Sequence, residues 1–146
     1  MTQASLRRVT ANYEALAGQI ATLTRSFYDR LFLAMPHVRP LFRLDIDLQS
    51  QHLAAALALI VRNLRDMDLL EEPLMELGAG HARVGVRPEH YPVLCRTMVE
   101  TLREGSGSAW SPELTADWTD LLSHVSRIMM NGALRDIASS PPSRSP

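Results

Sequence analysis

Apolar residues recur at intervals of three and four along most of the chain, which is the spacing of amphipathic α-helices. No segment shows sustained alternation of apolar and polar residues bounded by hairpin turns, so the pattern predicts an all-α protein. Proline and glycine divide it into about seven helices with short connections. We expect one helical domain over residues 1–138, followed by a Ser/Pro-rich tail, residues 139–146, whose composition predicts disorder.

Helix breakers and caps predict several of the helix ends. Pro36 ends a helix, and the proline-rich segment after it is too short for another full helix, so we expect a tight turn there. Asp45 and Asp47 are both candidate caps for the long helix that follows. A later helix ends near Gly85, and Pro88 opens the next one.

Composition and charge exclude several classes of protein. The longest apolar run, residues 53–61, is far shorter than the roughly 20 residues of a membrane span, and the N-terminus lacks the apolar segment of an export signal. The net charge of −1 argues against binding to nucleic acid through phosphate neutralisation. Cys95 has no partner for an internal disulfide and lies in an apolar run, so we expect a small buried side chain in a cytoplasmic protein.

Three polar side chains lie within apolar helical segments. His81 follows a glycine near the end of its helix, Tyr28 lies among aromatic and aliphatic residues, and Gln49 lies one turn before Leu53 on the same helix face. Each has an ordinary interpretation, because a histidine in a helix is usually solvated or hydrogen-bonded in place, and the other two side chains could be edge residues. Their chemistry therefore depends on the surrounding sequence.

Four segments together resemble the bacterial haemoglobins, that is, the globin domain of flavohaemoglobins and its single-domain relatives. They are "FYDRLF", "HVRPLF", "QSQHL" and "HARVGVRPEHYPVL", at residues 27–32, 37–42, 49–53 and 81–94. The resemblance extends over residues 16–125. It implies a globin fold around haem b (iron protoporphyrin IX), with His81 as the axial ligand of the iron.

The resemblance also implies roles for the residues near His81. Haem iron takes one nitrogen of a neutral imidazole, and the other ring N–H needs an acceptor, for which the carbonyl of Leu77, four residues back, is suitably placed. We expect Gly78 and Gly80 to let the porphyrin edge or another helix come close. Tyr91 is expected on the proximal side, below the iron, and Val86 against the haem plane.

The resemblance also places Phe42 flat against the porphyrin and Leu53 over its distal face. Leu53 and Val86 are equally compatible with plain core positions. Tyr28 and Gln49 are expected to donate hydrogen bonds to bound oxygen, which carries partial negative charge. His52 points to solvent or to a propionate, with an internal sixth ligand as the alternative. The cations available for the propionates are Arg43, Arg83 and Arg87.

These expectations favour a haem protein that binds oxygen reversibly for storage, delivery or buffering, and that also binds nitric oxide and carbon monoxide. The enzymatic alternative is nitric oxide dioxygenation, with electrons from a separate reductase, since no flavin or nicotinamide domain follows the globin segment in this sequence. A gas sensor and a cofactor-free helical interaction module are further alternatives. No nucleic-acid or membrane partner is expected.

Overall fold

The computed structural model of the protein describes residues 1–43 and 45–139. This part of the chain contains α-helices and short 3₁₀ turns, without a β-strand. The all-α prediction is confirmed, with six α-helices in the described residues against the predicted number of about seven. The helices are α1 (Gln3–Leu16), α2 (Ile20–Ala34), α3 (Ile46–Arg62), α4 (Glu71–Arg83), α5 (Tyr91–Ser106) and α6 (Pro112–Ser139). Residues 140–146 of the predicted tail lie outside the described residues.

The tight turn predicted after Pro36 is confirmed, whereas Pro88 opens a short 3₁₀ turn ahead of α5 and not the helix itself. One such turn, Pro36–Leu41, follows α2, and another, Pro88–His90, precedes α5. Both begin with proline, whose fixed φ suits the first position of a helical turn. Asp45 directly precedes α3 but makes no side-chain capping bond, and Asp47 lies in its first turn, where a carboxylate interacts favourably with the helix dipole.

Side-chain caps start the first and last helices. The hydroxyl of Thr2 accepts a hydrogen bond from the backbone N–H of Ser5 at 3.0 Å and caps α1, which begins at Gln3. The hydroxyl of Ser111 accepts from the N–H of Leu114 at 3.3 Å, directly ahead of α6. Serine and threonine stabilise these ends because the first N–H groups of a helix have no carbonyl partner within it.

Helices α4 and α6 pack along each other with their backbones in unusually close contact. A Cβ atom at Gly78 would lie 1.9 Å from the carbonyl oxygen of Met129, and one at Gly132 would lie 2.0 Å from that of Met75. The expectation that Gly78 lets another helix approach is confirmed. At Gly80 a Cβ would have no atom within 4 Å, so no other helix comes close there, and the approach of a porphyrin edge to Gly80 stays a prediction.

A buried polar group joins α1 to α6. The indole N–H of Trp118, which is completely buried, donates to the side-chain oxygen of Asn12 at 3.0 Å. Nearby, Arg8 donates two hydrogen bonds to the carboxylate of Asp117, and this interaction lowers the pKa of that carboxyl group. Since buried polar groups are costly when unpaired, these bonds fix how the two helices pack.

Within the described residues, no helix combines the length and apolar character that crossing a membrane requires.

Candidate functional site

Helices α2 to α6 line a cavity of about 150 Å³ that is partly open to solvent. Six of the seven predicted site residues line it, and the exception is Gln49. The lining also contains eight apolar side chains and one serine beyond these six. The six predicted residues in the lining are Tyr28, Phe42, Leu53, His81, Val86 and Tyr91.

His81 is held in a fixed ring orientation by its own helix. Its Nδ1 atom donates to the carbonyl oxygen of Leu77 at 2.8 Å, so the expected hydrogen bond is confirmed. Burial lowers the pKa of the imidazole, while the bond to Leu77 acts in the opposite direction. The ring is therefore held as the neutral tautomer whose Nε2 atom carries a free lone pair, which is the form that binds a metal ion.

The end of α4 explains the spacing between His81 and the residues that follow it. Gly85 has a positive φ of 106°, which favours glycine. Its N–H donates to the carbonyl of Ala82 at 3.1 Å, and the N–H of Val86 donates to the carbonyl of His81 at 2.9 Å. These two bonds form a Schellman motif. The motif reverses the chain within one turn of His81 and places Val86 in the lining of the same cavity.

An aromatic cluster surrounds Tyr28 at the other end of the cavity. The chain has three phenylalanines, and all three lie in this cluster. The rings of Phe27 and Phe42 meet that of Tyr28 edge to face, at centroid distances of 5.1 and 5.5 Å. The guanidinium of Arg39 lies over the ring of Phe32, 5.0 Å from its centroid. The cluster fixes the position of the phenol ring.

Gln49 is half-buried on α3 and interacts with Tyr28. Burial raises the pKa of the Tyr28 hydroxyl, and a side-chain hydrogen bond with Gln49 opposes that shift. The phenol therefore remains protonated at neutral pH and able to donate. Although Gln49 does not line the cavity itself, it is the polar neighbour of the one tyrosine at this end.

The remaining predicted residues lie on the surface. His52 is exposed on α3. Arg83 pairs with Asp136, with N–O distances of 2.7 and 3.2 Å, and Arg87 pairs with Glu89 at 2.9 Å. Arg43 makes no ion pair with the residues that the structure describes. A propionate role for Arg83 or Arg87 would thus compete with an existing surface ion pair.

Sequence reasoning missed part of the cavity wall, notably Cys95 and Ser126. Cys95 lies four residues after Tyr91 and so shares its helix face, a signal that was available in the sequence. Ser126 lies on α6, and only the packing of α5 against α6 brings it to Cys95, with a distance of 3.3 Å between sulfur and hydroxyl. Cys95 is half-buried, rather than the buried side chain that we expected.

The residues of this cavity fit a haem in their chemistry. One neutral imidazole presents a free nitrogen, two tyrosines lie in the lining, and the other lining groups are mainly apolar. The volume is below the roughly 300 Å³ of common cofactor pockets, so the side chains have to move apart to admit a tetrapyrrole. Among residues 1–43 and 45–139, no group of three or more His, Cys, Asp or Glu side chains is placed to hold a metal ion.

The family model described as Globin matches residues 25–129, and the chain belongs to the globin family. This family binds haem and diatomic gases, and the resemblance to bacterial haemoglobins is confirmed. A flavohemoprotein of Rhizobium meliloti is 27% identical over 132 residues, which cover 88% of this chain and 33% of that protein. An anaerobic nitrite reductase of rice (Oryza sativa) is 25% identical over 118 residues, covering 77% of this chain and 81% of the rice protein.

Solved structures confirm the globin fold. An engineered carbene transferase from Rhodothermus marinus superimposes with a TM-score of 0.86 at 22% identity, covering 94% of this chain and 96% of the other. A bacterial globin from Campylobacter jejuni superimposes with a TM-score of 0.83 at 17% identity, covering 94% and 100%. The chain spans about one third of the length of the flavohemoprotein that it matches first.

Proposed function

We propose that this globin binds haem b through the Nε2 atom of His81 and holds oxygen reversibly next to Tyr28 and Gln49. The observation that carries the proposal is the hydrogen bond between His81 Nδ1 and the carbonyl of Leu77, at 2.8 Å in the wall of a mostly apolar cavity. A histidine in a helix is commonly hydrogen-bonded in place, so the position of this oriented ring in the cavity wall is what favours ligation. Membership of the globin family supports the same assignment.

Ferrous haem, when bound, supplies the open coordination position at which a diatomic gas binds. The chain contributes the rest. The Leu77 carbonyl keeps the proton of His81 on Nδ1, and the Schellman motif at Gly85 prevents the end of α4 from fraying. Both features hold the ligand nitrogen in one position, so that little ordering is left to occur on binding.

Tyr28 and Gln49 determine how long oxygen stays. Both are neutral donors, and their side chains interact with each other beside the cavity. A hydrogen bond to a partly negative ligand is strengthened where the dielectric is low. Because the pKa of Tyr28 is raised, the phenol donates without releasing its proton, and we therefore assign it the main role in retaining oxygen. Gln49 positions that hydroxyl.

Apolar side chains limit the access of water to the same space. Phe42 and Leu53 line the cavity together with Leu57 and Met98, and the last two are nearly inaccessible to solvent. Water would compete with oxygen for the tyrosine hydroxyl and would promote loss of an electron from the iron. A mainly apolar lining therefore favours reversible binding.

A Tyr28→Phe variant is expected to release oxygen about ten times faster, since one hydrogen bond to a polarised ligand contributes roughly 1 to 2 kcal/mol. It is also expected to oxidise faster in air. Stopped-flow displacement of oxygen by carbon monoxide measures the first effect. Tyr13→Phe is the matched control, because it removes a hydroxyl from α1, outside the cavity. Equal release rates in the two variants would assign oxygen retention to a different residue.

Nitric oxide dioxygenation is the second candidate, and the flavohemoproteins among the relatives favour it. The structural match from Rhodothermus marinus also carries the name of a nitric oxide dioxygenase. For this chain the reaction requires electrons from a reductase. The pocket that retains oxygen also holds it beside an incoming second gas.

One pair of measurements tests both candidates. Titration of the reduced protein with oxygen, followed in the visible spectrum, is expected to give a saturable and reversible change. Repeated addition of nitric oxide, with a flavin reductase and NADH present, then measures turnover. Many nitric oxide molecules consumed per haem would establish the enzyme, whereas a single turnover with an intact oxygen spectrum supports the carrier. Absence of any oxygen-dependent spectrum would contradict both.

A further inference from the structure

The surface groove between α5 and α6 meets the interior cavity at a thin wall. The groove has a volume of about 580 Å³ and is open to solvent. Three residues line both the groove and the interior cavity, so they form the partition between the two spaces. These residues are Tyr91, Cys95 and Ser126.

Two of the three partition residues are small, and a weak bond joins them. The hydroxyl of Ser126 donates its one proton to the carbonyl of Leu122 at 2.8 Å. The contact of 3.3 Å between Cys95 and Ser126 is therefore donated by the thiol. Burial raises the pKa of the thiol, which stays protonated at neutral pH. An S–H group is a weak donor, so a change of the Cys95 rotamer breaks the contact at little cost.

We infer that the α5–α6 groove is a second entrance for small neutral gases, and that the Cys95 side chain is its gate. The inference rests on the proposed haem site, because it takes the interior cavity as the destination. It concerns access from the side of His81, since α6, which carries Ser126, packs along the helix that carries His81. Tyr28 and Gln49, on α2 and α3, take no part in it.

The chemistry of the groove suits apolar gases. Its lining is mainly apolar in area, and it includes Pro88, Pro92, Val99 and Met130. Oxygen, nitric oxide and carbon monoxide are small and weakly hydrated, so they collect in such a groove from water. Rotamer changes of a partly exposed side chain take picoseconds to nanoseconds, which is fast enough for a diatomic molecule that is already in the groove to pass.

Flash photolysis of the carbon monoxide complex tests the gate. Cys95→Phe fills the partition, and Cys95→Ala enlarges the opening. For Cys95→Phe we expect the bimolecular association rate to fall by about twofold or more, since the rate through a gated route scales with the fraction of time that it is open. Fewer gas molecules should also escape after the flash. For Cys95→Ala both quantities should move in the opposite direction.

The control is Thr119→Phe, which adds the same ring to the groove at an exposed position that does not line the cavity. One ring there cannot seal an open groove of this size, so wild-type kinetics are expected. Haem content and the visible spectrum are recorded for every variant, and a wild-type protein without haem would refute the proposed function instead. If Cys95→Ala leaves association and escape unchanged in the haem-loaded protein, the gate is refuted, even if Cys95→Phe does not fold.

Discussion

A His81→Leu variant is expected to lose stable haem binding while keeping its helical fold. Leucine fits an apolar cavity and a helix interior, so the apoprotein should retain its far-ultraviolet circular dichroism. The metal–nitrogen bond cannot be replaced, because no other histidine lines the cavity. We expect the affinity for haem to fall by about 100-fold or more, beyond what is lost when only a partner of a ligand is removed. Haem transfer to an excess of apomyoglobin, followed in the visible spectrum, measures this loss.

Two further variants separate ligation from packing. His52→Leu makes the same substitution at an exposed position on α3, and it is expected to retain haem like the wild type. His81→Gly removes the ring and leaves room for free imidazole, which is expected to restore the spectrum of the haem complex. Retention of an unchanged spectrum by His81→Leu would mean that another residue ligates the iron.

The second large effect is expected at Gly78, where α4 meets α6. A methyl group there would lie 1.9 Å from the carbonyl oxygen of Met129, a distance that only a separation of the two helices can relieve. Backbone atoms cannot rotate away as the end of a side chain can. We therefore expect Gly78→Ala to lower the free energy of unfolding by about 3 kcal/mol, at the upper end of the cost of overpacking. Urea denaturation of the apoprotein measures it.

Gly80 provides the matched control on the same helix. A methyl group at Gly80 would have no atom within 4 Å, so Gly80→Ala is expected to be neutral or to stabilise by up to about 1 kcal/mol through helix propensity. Gly132→Ala should behave like Gly78→Ala, since its methyl group would meet the carbonyl of Met75. Equal urea midpoints for the variants at Gly78 and Gly80 would show that α4 and α6 separate at little cost in free energy.

The all-α class and the helix breaks followed from local chemistry. Pro36 removes a backbone donor and Gly85 adopts a positive φ, and both act within one turn of the chain, so a single sequence suffices to locate them. The start of α5 was less accurate. Residues 88–90 form a 3₁₀ turn, in which the ring Nδ1 of His90 accepts the N–H of Arg87 at 3.0 Å. Such a side-chain bond depends on a rotamer that periodicity does not predict.

The residues of the candidate site could be predicted where they belong to the family motifs. Residues from four separate segments, including His81 and Tyr28, line one cavity, and the resemblance had grouped them in advance. Distances between side chains on different helices could not be predicted from the sequence. The contact between Cys95 and Ser126 and the open space beside Gly80 both follow from how α6 is placed, and no local signal encodes that placement. Their roles in binding and gating stay predictions.

The glycine contacts between α4 and α6 also restrict how the molecule can respond to a gas. With Gly78 and Gly132 each seated against a carbonyl of the other helix, α4 cannot slide lengthwise without lifting off α6. These contacts therefore fix the position of the segment that bears His81. Strain created when a diatomic molecule binds should therefore displace the other side of the cavity, which is formed by α3 and the aromatic rings near Phe42. Hydrogen exchange of the backbone amides, measured with and without carbon monoxide, should change in α3 and near Phe42 before it changes in α4.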